Sequence, residues 1–179
     1  MAQLNQLIAA QSNVIHSFAC IGLSCSGAPI PHTSIANVGD GAWPTANKAI
    51  YIPFRVYEKF TAKRIVLRNG VTLSGNVDVG IYNSAGTRLV SSGSVAQAGV
   101  SADQIFDITD TDLVAGLHYM AVALDNTTGQ LSRANSFQTG PTNFWLGVHE
   151  QATAFALPAT ATFADGTLSY LPIMILLNY

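Results

Sequence analysis

From Lys48 onward, hydrophobic and polar positions alternate in short bursts, the period of a β-strand whose two faces meet different surroundings. In Ala49–Tyr57, Ile50, Ile52, Phe54 and Val56 fall on one face, and Tyr51, Pro53, Arg55 and Tyr57 on the other. Proline cannot donate to a ladder, so this strand is expected at an edge or with Pro53 facing outward. Ala62–Asn69 sets Ile65 and Leu67 against Arg64, Val66 and Arg68, and ends at the turn signal Asn69-Gly70. Val77, Val79 and Ile81 alternate with Asp78, Gly80 and Tyr82, and a turn at Asn83–Gly86 leads into Thr87–Ser91. Further strands are expected at Gln104–Ile108, Leu117–Asp125, Ser132–Gln138, Asn143–His149, Thr160–Ala164 and Leu168–Leu177, while Thr109–Leu113 reads as a turn. Strands about ten residues apart with polar turns predict an all-β fold, an antiparallel β-sandwich of jelly-roll type with about eight strands.

The first 47 residues follow a different pattern. Leu4, Leu7 and Ile8 have helical spacing, and Val14, Ile15 and Phe18 extend the apolar run. Gly22, Gly27, Pro29, Pro31, Gly39, Gly41 and Pro44 then punctuate any regular structure. Residues 1–47 are therefore read as an irregular, partly helical arm, and residues 48–179 as the sandwich domain. An apolar arm with one charge, Asp40, is expected to pack on a neighbour, through Leu4, Leu7, Ile8, Val14, Ile15 and Phe18.

Charge sharpens this picture. Charged residues make up only 10% of the chain, against roughly 25% in ordinary soluble domains. So little charge implies that much of the surface is covered by other subunits. The net charge of −2 argues against nucleic acid as a partner. Seven of the eight basic residues lie between Lys48 and Arg88, and five of the ten acidic residues between Asp103 and Asp125. That asymmetry suits either complementary faces of adjacent subunits or two solvated edges of one domain. No positive segment precedes Lys48 and no run reaches the roughly 18 apolar residues of a membrane span, so a cytoplasmic origin without a membrane partner is expected.

Catalytic or metal chemistry finds few candidates. Gly22–Gly27 has the wrong spacing for a serine nucleophile turn. Cys20 and Cys25 match no zinc spacing, and His16, His32, His118 and His149 are scattered singly, although His118 and His149 lie on predicted strands that could meet. Asp103, Asp107, Asp110 and Asp112 could offer oxygen ligands to calcium, but the glycine and downstream glutamate of an EF-hand loop are missing, which favours a solvated acidic stretch. Asp78 and Glu150 could form a carboxylate pair only through tertiary structure. No catalytic residue, cofactor site or metal site is assigned, and the chain is expected not to be an enzyme. Tyr51, Tyr82 and Trp145 are the candidate glycan contacts, because aromatics on an outward sheet face can stack on sugar rings. The competing reading is that both faces of the sheet are covered.

Several stretches resemble a jelly-roll domain of tailed-bacteriophage virion proteins found in head-decoration, head-fibre and tail-associated contexts. They are Tyr51–Val56, Ser74–Tyr82 with Gly86–Leu89, Ala115–Ala121, Ala154–Ala161 and Tyr170–Pro172, together spanning Lys48 to the C-terminus. The resemblance implies a non-catalytic structural protein of the virion, made in the host cytoplasm. It would be a capsid decoration or head-fibre subunit, expected as a homotrimer that contacts the major capsid protein. The alternative it leaves open is a carbohydrate- or receptor-binding module of a tail or fibre.

Overall fold

The computed structural model describes residues 38–134, 147–167 and 170–179. Thirteen strands and no helix occur among them: β1 Val38–Ala42, β2 Ala49–Val56, β3 Phe60–Arg68, β4 Asn76–Asn83, β5 Arg88–Ser91, β6 Val95–Ala96, β7 Asp103–Leu113, β8 Gly116–Leu124, β9 Gln130–Ala134, β10 His149–Gln151, β11 Ala164–Asp165, β12 Leu171–Pro172 and β13 Met174–Leu177. The larger sheet runs β11-β10-β2-β8-β4-β5, with β6 also paired to β4. Opposite it stand two three-stranded sheets, β13-β3-β7 and β1-β9-β12. The protein is an antiparallel β-sandwich, as the alternation predicts.

The topology follows from two pairs of consecutive strands that each cross from one layer to the other. β2 continues into β3, and β7 into β8; β2 pairs with β8 in the larger sheet, while β3 pairs with β7 in the smaller one. Each consecutive pair therefore spans both layers, which ties the sandwich together through pairings as distant in sequence as Ala49↔Ala123. The predicted faces are kept. Ile50, Ile52, Phe54, Val56, Val77, Val79 and Ile81 join Ile65, Leu67, Phe106, Met120, Val122 and Leu124 in one core between the layers. Each such side chain withdraws area worth about 25 cal/mol per Å².

Five expectations change. Residues 38–47 are part of the sandwich: β1 pairs with β9, Trp43 is buried in the core, and its indole N–H donates to the Lys48 carbonyl at 3.1 Å. Glycines had hidden β1, because Gly39 and Gly41 leave no alternating pattern to read. Asn69-Gly70 is not a hairpin turn, since β3 and β4 belong to different layers. Buried Asn69 instead anchors a crossover, donating to the Ala98 carbonyl at 2.6 Å and accepting from Gln97 Nε2 at 2.9 Å. Thr109–Leu113 is strand, because β7 pairs with β3 as far as Phe60↔Leu113. The expected strand at Thr160–Ala164 shrinks to a bridge at Thr160 and the two residues of β11. Pro53 is accommodated differently from a simple edge strand: β10 pairs only with Ala49–Tyr51, so β2 has β8 alone as described ladder partner where proline occurs. The predicted strands Ser132–Gln138, Asn143–His149 and Leu168–Leu177 lie partly outside the described residues.

Candidate functional site

The two layers present very different outer faces. On the larger sheet, Ala49, Tyr51, Tyr82, Tyr119, Ala121 and Ala123 point away from the core and lie under the segment Ala154–Phe163, packed against Ala154, Leu157, Phe155, Ala161 and Phe163. Tyr51 meets Tyr82 edge-on at 5.1 Å and Phe163 at 5.2 Å, and Tyr119 meets Phe163 at 4.6 Å. These are the offset and edge-on arrangements that aromatic quadrupoles favour. Polar ends are satisfied within the layer: Tyr82 Oη donates to the Pro158 carbonyl at 2.6 Å, and Tyr51 Oη to Gln151 Oε1 at 2.9 Å. Burial pushes the Tyr51 hydroxyl up to about 12, and that of Tyr82 above its ordinary value.

Asp78 fastens the same segment. Fully buried on β4, its carboxylate accepts the Leu157 N–H at 2.9 Å and the Ser92 hydroxyl at 3.3 Å. Burial raises its pKa, although these hydrogen bonds and nearby Arg88 oppose the shift. Arg88 Nη1 also donates to the Leu157 carbonyl. Gly80 leaves room for both β5 and the segment, since a Cβ there would lie 2.7 Å from the Val90 carbonyl of β5 and 3.1 Å from a Leu157 methyl.

Tyr51 and Tyr82 are therefore corrected as glycan contacts. They do face away from the main core, but both are fully buried beneath the chain's own third layer. No part of either ring is free to stack on a sugar. Trp145 and the arm positions Leu4, Leu7, Ile8, Val14, Ile15 and Phe18 lie outside the described residues. An exposed aromatic next to β2 is Tyr57, one residue past the end of the strand and 67% exposed.

On the outer side of the smaller sheet β13-β3-β7, exposure among the described residues is greatest on β7, while Val66 of β3 is buried. The sheet's register sets Ile175 beside Val66 and Val66 beside Ile105, forming an apolar row across three strands. Ile105, in mid-strand, is 60% exposed. Acidic residues of β7 pair with basic residues on and just before β3 along this face: Lys59–Asp112 at 2.7 Å, Lys63–Asp110 at 3.5 Å, Arg64–Asp107 at 2.6 Å and Arg68–Asp103 at 3.1 Å. Lys59 and Thr61, hydrogen-bonded to Asp112, hold its carboxyl below the usual carboxylate range. The basic and acidic segments of the sequence thus meet as a ladder within one chain. The four aspartates stand beside cations, which speaks against a calcium loop.

Other candidates do not converge. Across the register of the larger sheet, Asp78 aligns with Ala123, Ala49 and Gln151, whereas Glu150 aligns with Ile50, Val122 and Val79. The two carboxylates lie three strands apart on opposite faces, so they form no acid–base pair. Glu150 instead accepts from Lys48 Nζ and the Thr167 N–H, each at 2.9 Å. His118 packs on Phe54, its pKa lowered by burial, while His149 stacks on Phe163. Among the described residues, no group of three His, Cys, Asp or Glu is placed to hold a metal, and no helix is long and apolar enough to cross a membrane.

No protein-family model matches the chain, and no curated protein matches it. Among solved structures, the chain is similar to a carbohydrate-binding module of lichenase 5A from Cellvibrio mixtus in complex with cellotriose, at 14% identity, covering 52% of this chain and 72% of that one, with a TM-score of 0.35. It is also similar to a β-1,3-glucan-binding module from Bacillus halodurans, at 13% identity, covering 53% of this chain and 81% of that one, with a TM-score of 0.32.

Proposed function

We propose that this chain is a non-catalytic β-sandwich subunit that works by surface contact inside a larger assembly. The observation that carries the reading is Ile105, a β-branched residue of β7 that is 60% exposed beside Val66 of β3 and framed by ion pairs. An apolar row inside a charged frame suits a protein surface better than open water. Charged residues at only 10% of the chain point the same way. The setting we propose is a bacteriophage particle, on the resemblance of Tyr51–Val56, Ser74–Tyr82 and Ala115–Ala121 to virion jelly rolls. There the protein would serve as a capsid decoration or head-fibre subunit. With residues 38–47 built into the sandwich, attachment falls to residues 1–37. Mass spectrometry of density-purified particles tests this: many copies relative to the major capsid protein are expected, and absence from particles would overturn it.

A second reading is a carbohydrate- or receptor-binding module of a tail or fibre. The observation that favours it in this chain is Tyr57, an exposed ring set among exposed Arg55, Glu58 and Lys59, which supplies a stacking surface beside hydrogen-bonding groups. Saturable binding on a glycan array, lost in Tyr57→Ala, is expected under this reading; an array without saturable binding removes it.

A further inference from the structure

Resting on the contact reading above, we propose that the outer face of β3 and β7 binds the same face of a second copy of this chain, about a two-fold axis running along the strands between them. The argument is the arrangement of charge. Every cation of the ladder belongs to the β3 side, at Lys59, Lys63, Arg64 and Arg68, and every anion to β7, at Asp103, Asp107, Asp110 and Asp112. Partners also stand at the same level, since Arg64 is in register with Asp107 and Arg68 with Asp103.

A two-fold axis along the strands lays β7 of the partner over β3, and β3 of the partner over β7, without changing level. Each cation then faces an anion of the other copy as well as its own. A two-fold axis across the strands would instead lay β3 over β3 and set Arg64 against Arg68 of the other copy. The ladder therefore selects one orientation and disfavours the other. Midway between the two arginine levels, Ile105 forms the dry centre, with Ile105 of each copy lying over the level of Val66 of the other, a residue already only 8% exposed within its own chain. Packed sheets lie about 10 Å apart and cross at about 30°. At that crossing the two arginine levels stay within reach while the Lys59–Asp112 ends splay apart.

Size sets the strength. β3 and β7 have 9 and 11 residues, giving a footprint roughly 30 Å by 10 Å at about 3.4 Å per residue and about 4.8 Å between strands. That is less than half of the roughly 800 Å² per partner in a standard interface. The dimer is therefore weak and concentration-dependent, and becomes effective where other contacts hold copies close together.

Sedimentation velocity of the full chain, from low micromolar to near-millimolar protein, tests the inference. A reversible monomer–dimer equilibrium is expected, weakened at least tenfold by Ile105→Lys and by high salt. Ile105→Thr keeps β-branching and serves if the lysine variant does not fold. Arg64→Asp should weaken the dimer and Arg64→Asp with Asp107→Arg should restore it, because the exchanged pair is again complementary across the axis. A monomer at every concentration, a trimer, or a dimer indifferent to Ile105 substitutions overturns the proposal. A monomer still found in many copies on purified particles would sink this interface while leaving the assembly reading in place.

Discussion

On the outside of the larger sheet, Tyr51, Tyr82 and Tyr119 lie beneath a segment of the same chain; on the outside of the smaller sheet, Ile105 lies beneath no described residue. The covered face is built from aromatic rings and alanines, with hydroxyls aimed at acceptors within the layer and a buried carboxylate fastening the cover. The open face is built from β-branched aliphatics and ion pairs that water can also satisfy. A face that must never separate can use groups that are costly to leave unpaired. A face that meets water or a separable partner cannot. Covered and open faces should therefore respond to mutation, pH and salt in opposite ways.

The largest effect is expected at the covered face. Tyr82→Ala should cost about 3–5 kcal/mol in urea unfolding, since it opens a cavity under Leu157 and leaves the Pro158 carbonyl without its donor. A cost below 1 kcal/mol would mean that the Ala154–Phe163 segment is not fixed on the sheet.

Asp78 comes next. Asp78→Ala removes the acceptor of the buried Leu157 N–H and should cost about 2 kcal/mol. Its pH dependence sharpens the comparison. The folded pKa of Asp78 is raised, so its contribution is fully present below the unfolded value of about 3.9 and is lost as pH rises through the folded value. Asp112 has a lowered folded pKa, so its contribution is present above about 3.9 and is lost as pH falls through the folded value. Unfolding free energies of wild type minus Asp78→Asn should thus decline from pH 3 to pH 7.5, while wild type minus Asp112→Asn should grow. Parallel slopes would erase the distinction between the faces.

Smaller effects belong to the open face. Arg64→Ala should change monomer stability by no more than about 1 kcal/mol, and less still in concentrated salt, as exposed pairs do. Ile105→Thr should be the mildest, within about 0.5 kcal/mol in dilute protein, because the side chain is largely in water before the change. A loss of several kcal/mol there would mean that Ile105 is packed against its own chain.

Much of the fold was legible in the residues. The alternation in Ala49–Tyr57 and Val77–Tyr82 identified β2 and β4 and assigned each side chain to its face. Where local pattern failed, the cause was visible. Gly39 and Gly41 gave β1 no alternation, and Asn69-Gly70 has the residues of a hairpin but performs a crossover set by a buried amide network. The polar run Thr109–Leu113 looked like a turn because a strand with one face in water and the other side chains small or acidic has little apolar signal.

What the sequence determined by itself is the strands with clean alternation, such as β2 and β4, the two faces of each, and the separation of basic from acidic residues into distinct segments. Period two decides these locally, since successive side chains point to opposite sides. Which face is covered, and by what, was decided only by tertiary structure. The rings of Tyr51 and Tyr82 look equally suited to a sugar or to a covering segment, and it is Leu157, more than seventy residues beyond Tyr82, that settles the matter. Likewise Arg64 and Asp107 became one ladder because β3 and β7 pair across the chain. Long-range pairing distributes surface between interior and exterior, and no short window of residues carries that information.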